Sequence, residues 1–378
     1  MITPDQRGTG IVVCGRAPAR VSSALMRVAG HAGVHRRPAT IVRALMVFFA
    51  ILCLPHAAFG AQAQQASTGA GHGAHFHLAW LANDPSNTYD NAILAGIESV
   101  ARRSHSTVDA FFAGFDPVTQ LTQCDEAVSS GRYDGLIVIA ASATEIVPCV
   151  ERARAAGIPV AAVDLPIGED PTTVQPQVAG VVASVHLTAG YWGSAVTEIL
   201  PQACAGLDPC DVFYLAGLAS FPIDQFGLDA VQDAASATPS ISLAGSGEAF
   251  YDRDVARDVM APVLADHPEI DVVIASGDQM ALGAEQAADQ NGTSIRIVSA
   301  GAGASALTAV REGRWLATAS TLPYTEGQIV TRLLVRALRV RHSKPIGVDP
   351  VEASGLPVWW TQQTLTAHPD FVGEWPGP

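Results

Sequence analysis

Lysine is almost absent: Lys344 is the only one in 378 residues. Arginine supplies the other positive charges, seven of them in the first sixty residues and fourteen in all that follows. Beyond residue 60, fifteen basic residues face thirty-five acidic ones, a net charge of −20 with histidine neutral. Such a surface repels polyanions, so nucleic acid and anionic membrane are set aside as partners. Long apolar runs are missing as well. The run Ala44–Leu54 has eleven residues, against the roughly 20 that a spanning helix needs. Aromatic residues make up only 6% of the chain; the abundance of Ala, Gly and Val suits helices packed closely on a sheet better than a β-sandwich. Nor is there a Gly-x-Ser-x-Gly elbow or a convergent Ser/His/Asp set, and "AGAGAS" (Ala300–Ser305) lacks the Lys-Ser/Thr of a phosphate-binding loop. No catalytic residue, metal site or cofactor is expected.

What is present divides by composition. The first sixty residues hold seven arginines and one acid, Asp5, then the short apolar run, then the small residues of "HAAFGAQAQQ". A basic region, a short apolar core and a small-residue exit are the parts of a secretory signal, with cleavage expected after Gly60 or Ala63. Leu52 before Cys53 does not suit a lipoprotein, and Pro38 after Arg36-Arg37 does not suit twin-arginine export. The basic region is long, and Met26 is an alternative start. Export out of the cytoplasm is the expectation. Residues 61–75 read as a flexible leader, whose His72 and His75, like His77 just beyond, have no Cys or acid beside them to complete a metal set.

Four cysteines remain in the exported part: Cys124, Cys149, Cys204 and Cys210. An oxidising compartment permits two disulfides. Cys204 and Cys210 bracket "AGLDP" and would close a short loop. Cys124 and Cys149 fall on consecutive helices and would bridge only if those helices are neighbours; the alternative is a pair of buried thiols.

From Phe76 a βα rhythm begins. "FHLAWLA", "VDAFFAG", "GLIVIA" and "PVAAVD" read as strands, separated by helices at Thr88–Arg103, at Val118–Ser130 and after a capping-box pattern at Ser142–Glu145. The strands are continuous apolar runs, so both faces are covered, as in a parallel sheet between helices. After Val178–Ser184 the rhythm restarts with "DVFYLAG", "ISLAG", "DVVIAS" and "IRIVSAG", and the longest helix follows at Pro323–Arg341. The tail from Leu356 shows no clear element. In open parallel sheets ligands bind beyond the carboxyl ends of the strands. The segments expected there are "NDPSNTYD", "GFDP" and "VDLPIG" in the first half, and "GLASFP", "GSGEAFYD", "SGDQ" and "AGAGAS" in the second.

"HPEIDVVIASGDQMALGA" (His267–Ala284), "AAGIPVAAVD" (Ala155–Asp164), "SGRYDGLIVIA" (Ser130–Ala140) and "ALTAVREGRWLATAS" (Ala306–Ser320) together resemble the periplasmic sugar-binding proteins of the ribose-binding type, which serve ABC transporters. The resemblance runs from Phe76 to about Val340. It implies an α/β fold of two doubly wound parallel-sheet lobes joined by a three-crossover hinge, the type I periplasmic binding protein architecture. The expected parts are a first lobe of residues 76–184 plus about 321–345, a second of 185–320 plus about 346–355, and a tail of 356–378. By the same resemblance the ligand contacts are Asn87, Tyr89, Asp90, Asp164, Phe221, Tyr251, Gly277, Asp278 and Thr321. Two arginines of the family pattern are missing, replaced by Leu165 and by the region of Phe221-Pro222; Gly277 stands where relatives carry an amide, Gly301 where they carry an acid, and Val185-His186 replaces an Asp-Asn pair. Asp278 is also placed to cap its helix, and His186 reads as structural.

A site with acids and aromatics but no arginine suits a neutral sugar or polyol, or a small cation, and disfavours a buried anion. The expected function is a monomeric solute-binding protein delivering such a ligand to an ABC permease by cleft closure. The alternative is a sensor of the same fold presenting its bound state to a membrane histidine kinase, for a small cationic or amine-type ligand.

Overall fold

The computed structural model describes residues 11–14, 75–340 and 343–377. The expected signal segment, apart from Ile11–Cys14, lies outside the described residues, as do its cleavage site and nearly all of the leader. Among the described residues no helix is long and apolar enough to cross a membrane.

Two sheets organise the chain. The first has the order β3 (Thr107–Phe112), β2 (His77–Ala82), β4 (Gly135–Val138), β5 (Val160–Val163), β6 (Val181–Val185), β12 (Ile346–Val348), every pair parallel. All four residues of β4 and of β5 are buried. This is the continuous apolar pattern of strands covered on both faces, and each such Val, Ile or Leu contributes roughly 1.5–3 kcal/mol by leaving water. The second sheet runs β1 (Ile11–Cys14), β8 (Ile241–Glu248), β7 (Cys210–Ala216), β9 (Val272–Ala275), β10 (Arg296–Ala300), β11 (Ala317–Ala319), β13 (Trp359–Trp360). Only β13 is antiparallel.

Helices α1 (Thr88–Arg103), α2 (Pro117–Ser129) and α3 (Val147–Ala155) belong to the first lobe, and α4 (Ala189–Ala203) to α8 (Ala304–Arg311) to the second; between them lie α5 (Pro222–Ala237), α6 (Arg253–Asp266) and α7 (Asp278–Asn291). The chain passes from the first sheet to the second after β6, returns from β11 into α9 (Pro323–Arg339), and leaves again after β12. Helix α9 lies tightly along α1, because Gly96 and Gly327 face each other's backbone. A Cβ at Gly327 would stand 2.1 Å from the Ile93 carbonyl, and one at Gly96 the same distance from that of Tyr324.

Several local expectations need correction. Helix α3 opens at Val147, not in the Ser142–Glu145 box; the Ser142 hydroxyl accepts from the Glu145 amide within a turn, and Pro148 fixes the helix start instead. Ile346–Val348 pairs with β6 and so belongs to the first sheet rather than the second. The tail from Leu356 holds structure after all: after α10 (Pro350–Ser354), which precedes it, come β13 and α11 (Gln362–Ala367), which opens with a capping box at Thr361 and Thr364. Ile11–Cys14, read as part of the basic region, is a β-branched run lying along the open edge of β8.

Both cysteine pairs are disulfides. Cys124 on α2 joins Cys149 on α3, which are neighbours on one face of the first sheet, and Cys204 at the end of α4 joins Cys210 at the start of β7. The open alternative of two buried thiols at Cys124 and Cys149 is therefore excluded.

Candidate functional site

In both sheets the winding direction reverses next to the lobe's first strand: β2 lies between β3 and β4, and β7 between β8 and β9. Loops diverge at such a point and leave a crevice beyond the carboxyl ends of the strands. A cavity of about 100 Å³ opens there, lined from both lobes.

From the first lobe come Asn83, Asn87, Tyr89 and Asp90 after β2, Phe115 after β3, and Asp164 after β5. Asn87 is the N-cap of α1: its amide oxygen accepts from the Tyr89 and Asp90 amides at 2.9 and 3.3 Å, which fixes where the next two side chains project. Asp90 accepts from the amides of Asn83 and Asp84, both at 3.3 Å. Burial, then the nearby Asp164, still pushes its carboxyl up to about 7. Asp164 sits in the left-handed region at φ 64°, a conformation costly for a residue with a Cβ and typical of strained functional sites. Burial raises it to about 6, and the nearby Tyr89 hydroxyl works against that rise. The Asn83 side-chain oxygen is buried and has no partner among the described residues. An acceptor stranded beside a cavity costs stability until something donates to it.

The second lobe supplies a wall. Phe221 precedes α5, Tyr251 precedes α6, and the rings of Phe221, Tyr251 and Phe115 form a triangle with centroids 6.3–6.5 Å apart. Phe115 belongs to the first lobe, so the triangle spans the cleft. Tyr251 is aimed from behind: its hydroxyl donates to Asp224 at 2.8 Å, and Asp224 also accepts from the Gly217 and Leu218 amides. Gly217 gives the ring its space, since a Cβ there would lie 2.1 Å from Tyr251 Cε2. Gly277 leaves room on the other side, where a Cβ would lie 3.2 Å from Tyr251 Cδ1. Gln279 reaches across to Asn87, 3.5 Å from nitrogen to oxygen. Thr321, at the second crossing, lines the floor and donates to the Gly301 carbonyl at 2.8 Å.

Eight of the nine residues expected at the site thus stand around one cavity: Asn87, Tyr89, Asp90, Asp164, Phe221, Tyr251, Gly277 and Thr321. Asp278 does not. Its carboxylate is buried inside the second lobe and accepts from Ser299 at 2.6 Å, Thr318 at 2.9 Å and the Gly303 amide at 2.8 Å. It therefore neither lines the cavity nor caps its own helix, but ties β10, β11 and the start of α8 together. Sequence reading missed Asn83 and Phe115, although both lie in the strand-end loops expected to meet the ligand, and it missed Trp375, which arrives from the tail. No Lys or Arg among the described residues lines the cavity. His186 is buried at the first crossing with Nδ1 2.9 Å from the Leu187 carbonyl, outside the lining.

The buried acids set a pH dependence. Asp90, Asp164, Asp224, Asp278 and Glu326 are all raised, with burial the first cause in each. In the unfolded chain they lose their protons near pH 4. Folded, Asp164 holds its proton to about 6, and Asp90 and Asp278 to about 7. Between these limits the folded state binds more protons, so stability falls as pH rises. The ligand-free protein is expected to melt at a higher temperature at pH 5 than at pH 8, and calorimetric scans at the two values check it. A higher melting temperature at pH 8 would contradict the burial of these groups.

Comparison with known proteins agrees with this geometry. The ribose import binding protein RbsB of Bacillus subtilis is 24% identical over 65% of this chain and 76% of its own length. The xylitol-binding protein of Mycolicibacterium smegmatis is 28% identical over 68% of this chain and 71% of its own. The crystal structure of the Caulobacter myo-inositol binding protein bound to myo-inositol superimposes with a TM-score of 0.66 at 19% identity, covering 79% of this chain and 97% of that one. Residues 78–342 match the family described as the periplasmic binding protein domain, and with two parallel-sheet lobes facing a lined cleft, the chain belongs to that family.

Proposed function

We propose that the protein is a periplasmic solute-binding subunit that captures a small neutral polyhydroxy compound, a sugar or polyol, and delivers it to an ABC importer. One observation carries this reading: among the described residues, the cavity joins carboxylates and an unpartnered amide oxygen on one side to an aromatic wall on the other, with no basic side chain in its lining. Carboxylates and amides accept from hydroxyl groups, and ring faces cover the C–H face of a sugar. An anionic ligand would meet Asp90 and Asp164 with no counter-charge. The relatives named above, which bind ribose, xylitol and myo-inositol, support the class of ligand. The sensor alternative, serving a histidine kinase, finds no support in the comparisons. The protein acts as a monomer without catalysing a reaction, its closed form docking on a permease.

A thermal-shift panel of neutral sugars, polyols, amines and amino acids tests the reading. A ligand at a hundredfold excess over its Kd stabilises by about 2.7 kcal/mol, so a neutral polyol or sugar is expected to raise the melting temperature while acidic sugars do not. A shift produced only by amines would replace the polyol reading with a cationic one.

A further inference from the structure

The last described residues of the chain do not trail away. Phe371 stacks on Trp360 with ring centroids 3.8 Å apart, and its carbonyl accepts from Arg311 at 2.8 Å, which fastens the segment to the second lobe. Four residues on, Trp375 is buried at 2% exposure and lines the cavity. Its indole nitrogen donates to the Gly301 carbonyl at 2.9 Å, and its own carbonyl accepts from the Ala304 amide, at the start of α8. The Ser305 amide donates to the Pro376 carbonyl in the same way. The tail thus satisfies amides that a helix start leaves without partners.

Gly303 of "AGAGAS" leaves space for this ring, and Gly301 leaves space both for it and for the Asp278 carboxylate. A Cβ at Gly301 would lie 2.9 Å from Trp375 Cζ2, and one at Gly303 2.9 Å from Cε2. A motif without the lysine of a phosphate loop is here the seat of an indole. Between Phe371 and Trp375 the segment also reaches the other lobe. Glu374 accepts from both the amide, at 2.9 Å, and the hydroxyl of Thr325, in the first turn of α9. Trp375 meets Tyr89 edge-on at 5.6 Å. One short segment therefore holds a wall of the cavity, a seat on the second lobe and a hook on the first.

We propose that residues 371–376 form an inter-lobe clasp in which Trp375 is a ligand-contacting, specificity-determining wall and Glu374 is the hook that favours the closed arrangement. The first half of the proposal rests on the polyol reading above. The indole occupies the space beside Gly301, so it limits ligand size on that side and offers an aromatic edge to the ligand. Glu374 lies outside the cavity lining and acts through Thr325 as a positioning residue.

The experiment compares the full chain with its Trp375→Ala, Trp375→Phe and Glu374→Gln variants by calorimetry, with xylitol, ribose and myo-inositol as probes, and by small-angle scattering without ligand. Trp375→Ala is expected to raise Kd at least tenfold for the probe that wild type binds tightest, and to shift preference toward the larger myo-inositol. Trp375→Phe recovers most of that affinity, which a merely structural loss would not. Glu374→Gln is expected to increase the radius of gyration of the unliganded protein and to raise Kd by a smaller factor. A Kd within twofold of wild type for Trp375→Ala overturns the wall, and an unchanged radius of gyration in Glu374→Gln overturns the hook. If none of the probes binds wild type, the polyol reading has failed for them, and the clasp stands or falls on the scattering alone.

Discussion

Replacing Asp164 by alanine is expected to raise the dissociation constant for the bound polyol at least a hundredfold. The residue stands at the end of β5, lines the cavity, and is set by a backbone at φ 64°. A hydrogen bond to a charged group is worth about 1.5–3 kcal/mol, and a carboxylate can receive two from neighbouring hydroxyls of a polyol. Losing both removes about 3 kcal/mol or more, a factor of a hundred or beyond. The fold should survive, because burial of Asp164 raises its pKa and so opposes folding at neutral pH rather than supporting it. Calorimetry with the polyol found in the panel measures the affinity, and a melting curve confirms that the variant is folded. An affinity within threefold of wild type would place the ligand elsewhere.

Removing the Cys124–Cys149 bridge by a double change to serine should have the largest effect on stability. The bridge spans 25 residues and staples α2 to α3. Closing a loop of that length in the unfolded chain is worth about 3.5 kcal/mol on the chain-entropy relation, against roughly 2 for the much shorter loop closed by Cys204 and Cys210. Both sulfur pairs are buried, so each replacement also leaves polar hydroxyls in an apolar setting. Denaturant unfolding of the two double variants is expected to show the greater loss for Cys124/Cys149. An equal or reversed order would mean that the first lobe does not unfold with the rest of the chain.

The sheets were legible because their strands are buried on both faces. "GLIVIA" and "PVAAVD" need no partner to declare themselves, and the strand-end loops follow from them. What was not legible depends on long-range pairing. Ile346–Val348 has no strand signature beyond its place beside β6, and Trp359–Trp360 becomes a strand only against β11. Asp278 illustrates the same limit in the site. Its spacing before a helix fits a cap, but its partners Ser299 and Thr318 come from two other strands, and no local pattern announces them. Trp375 is the extreme case, 74 residues from the Gly301 carbonyl that accepts its indole hydrogen bond. The one local signal was the pair of glycines at 301 and 303, which removes side chains where the indole sits.

The absence of arginine from the described residues of the cleft is the feature that most narrows the ligand, and it can be tested by a matched pair. Calorimetric titration of the purified protein with a neutral polyol from the panel, and then with the aldonate of the same chain length, changes one terminal group from alcohol to carboxylate. With Asp90 and Asp164 lining the cavity and no basic side chain among the described residues of that lining, the neutral compound is expected to bind one to one and the acid at least a hundredfold more weakly. Equal or tighter binding of the acid would contradict the account at its centre.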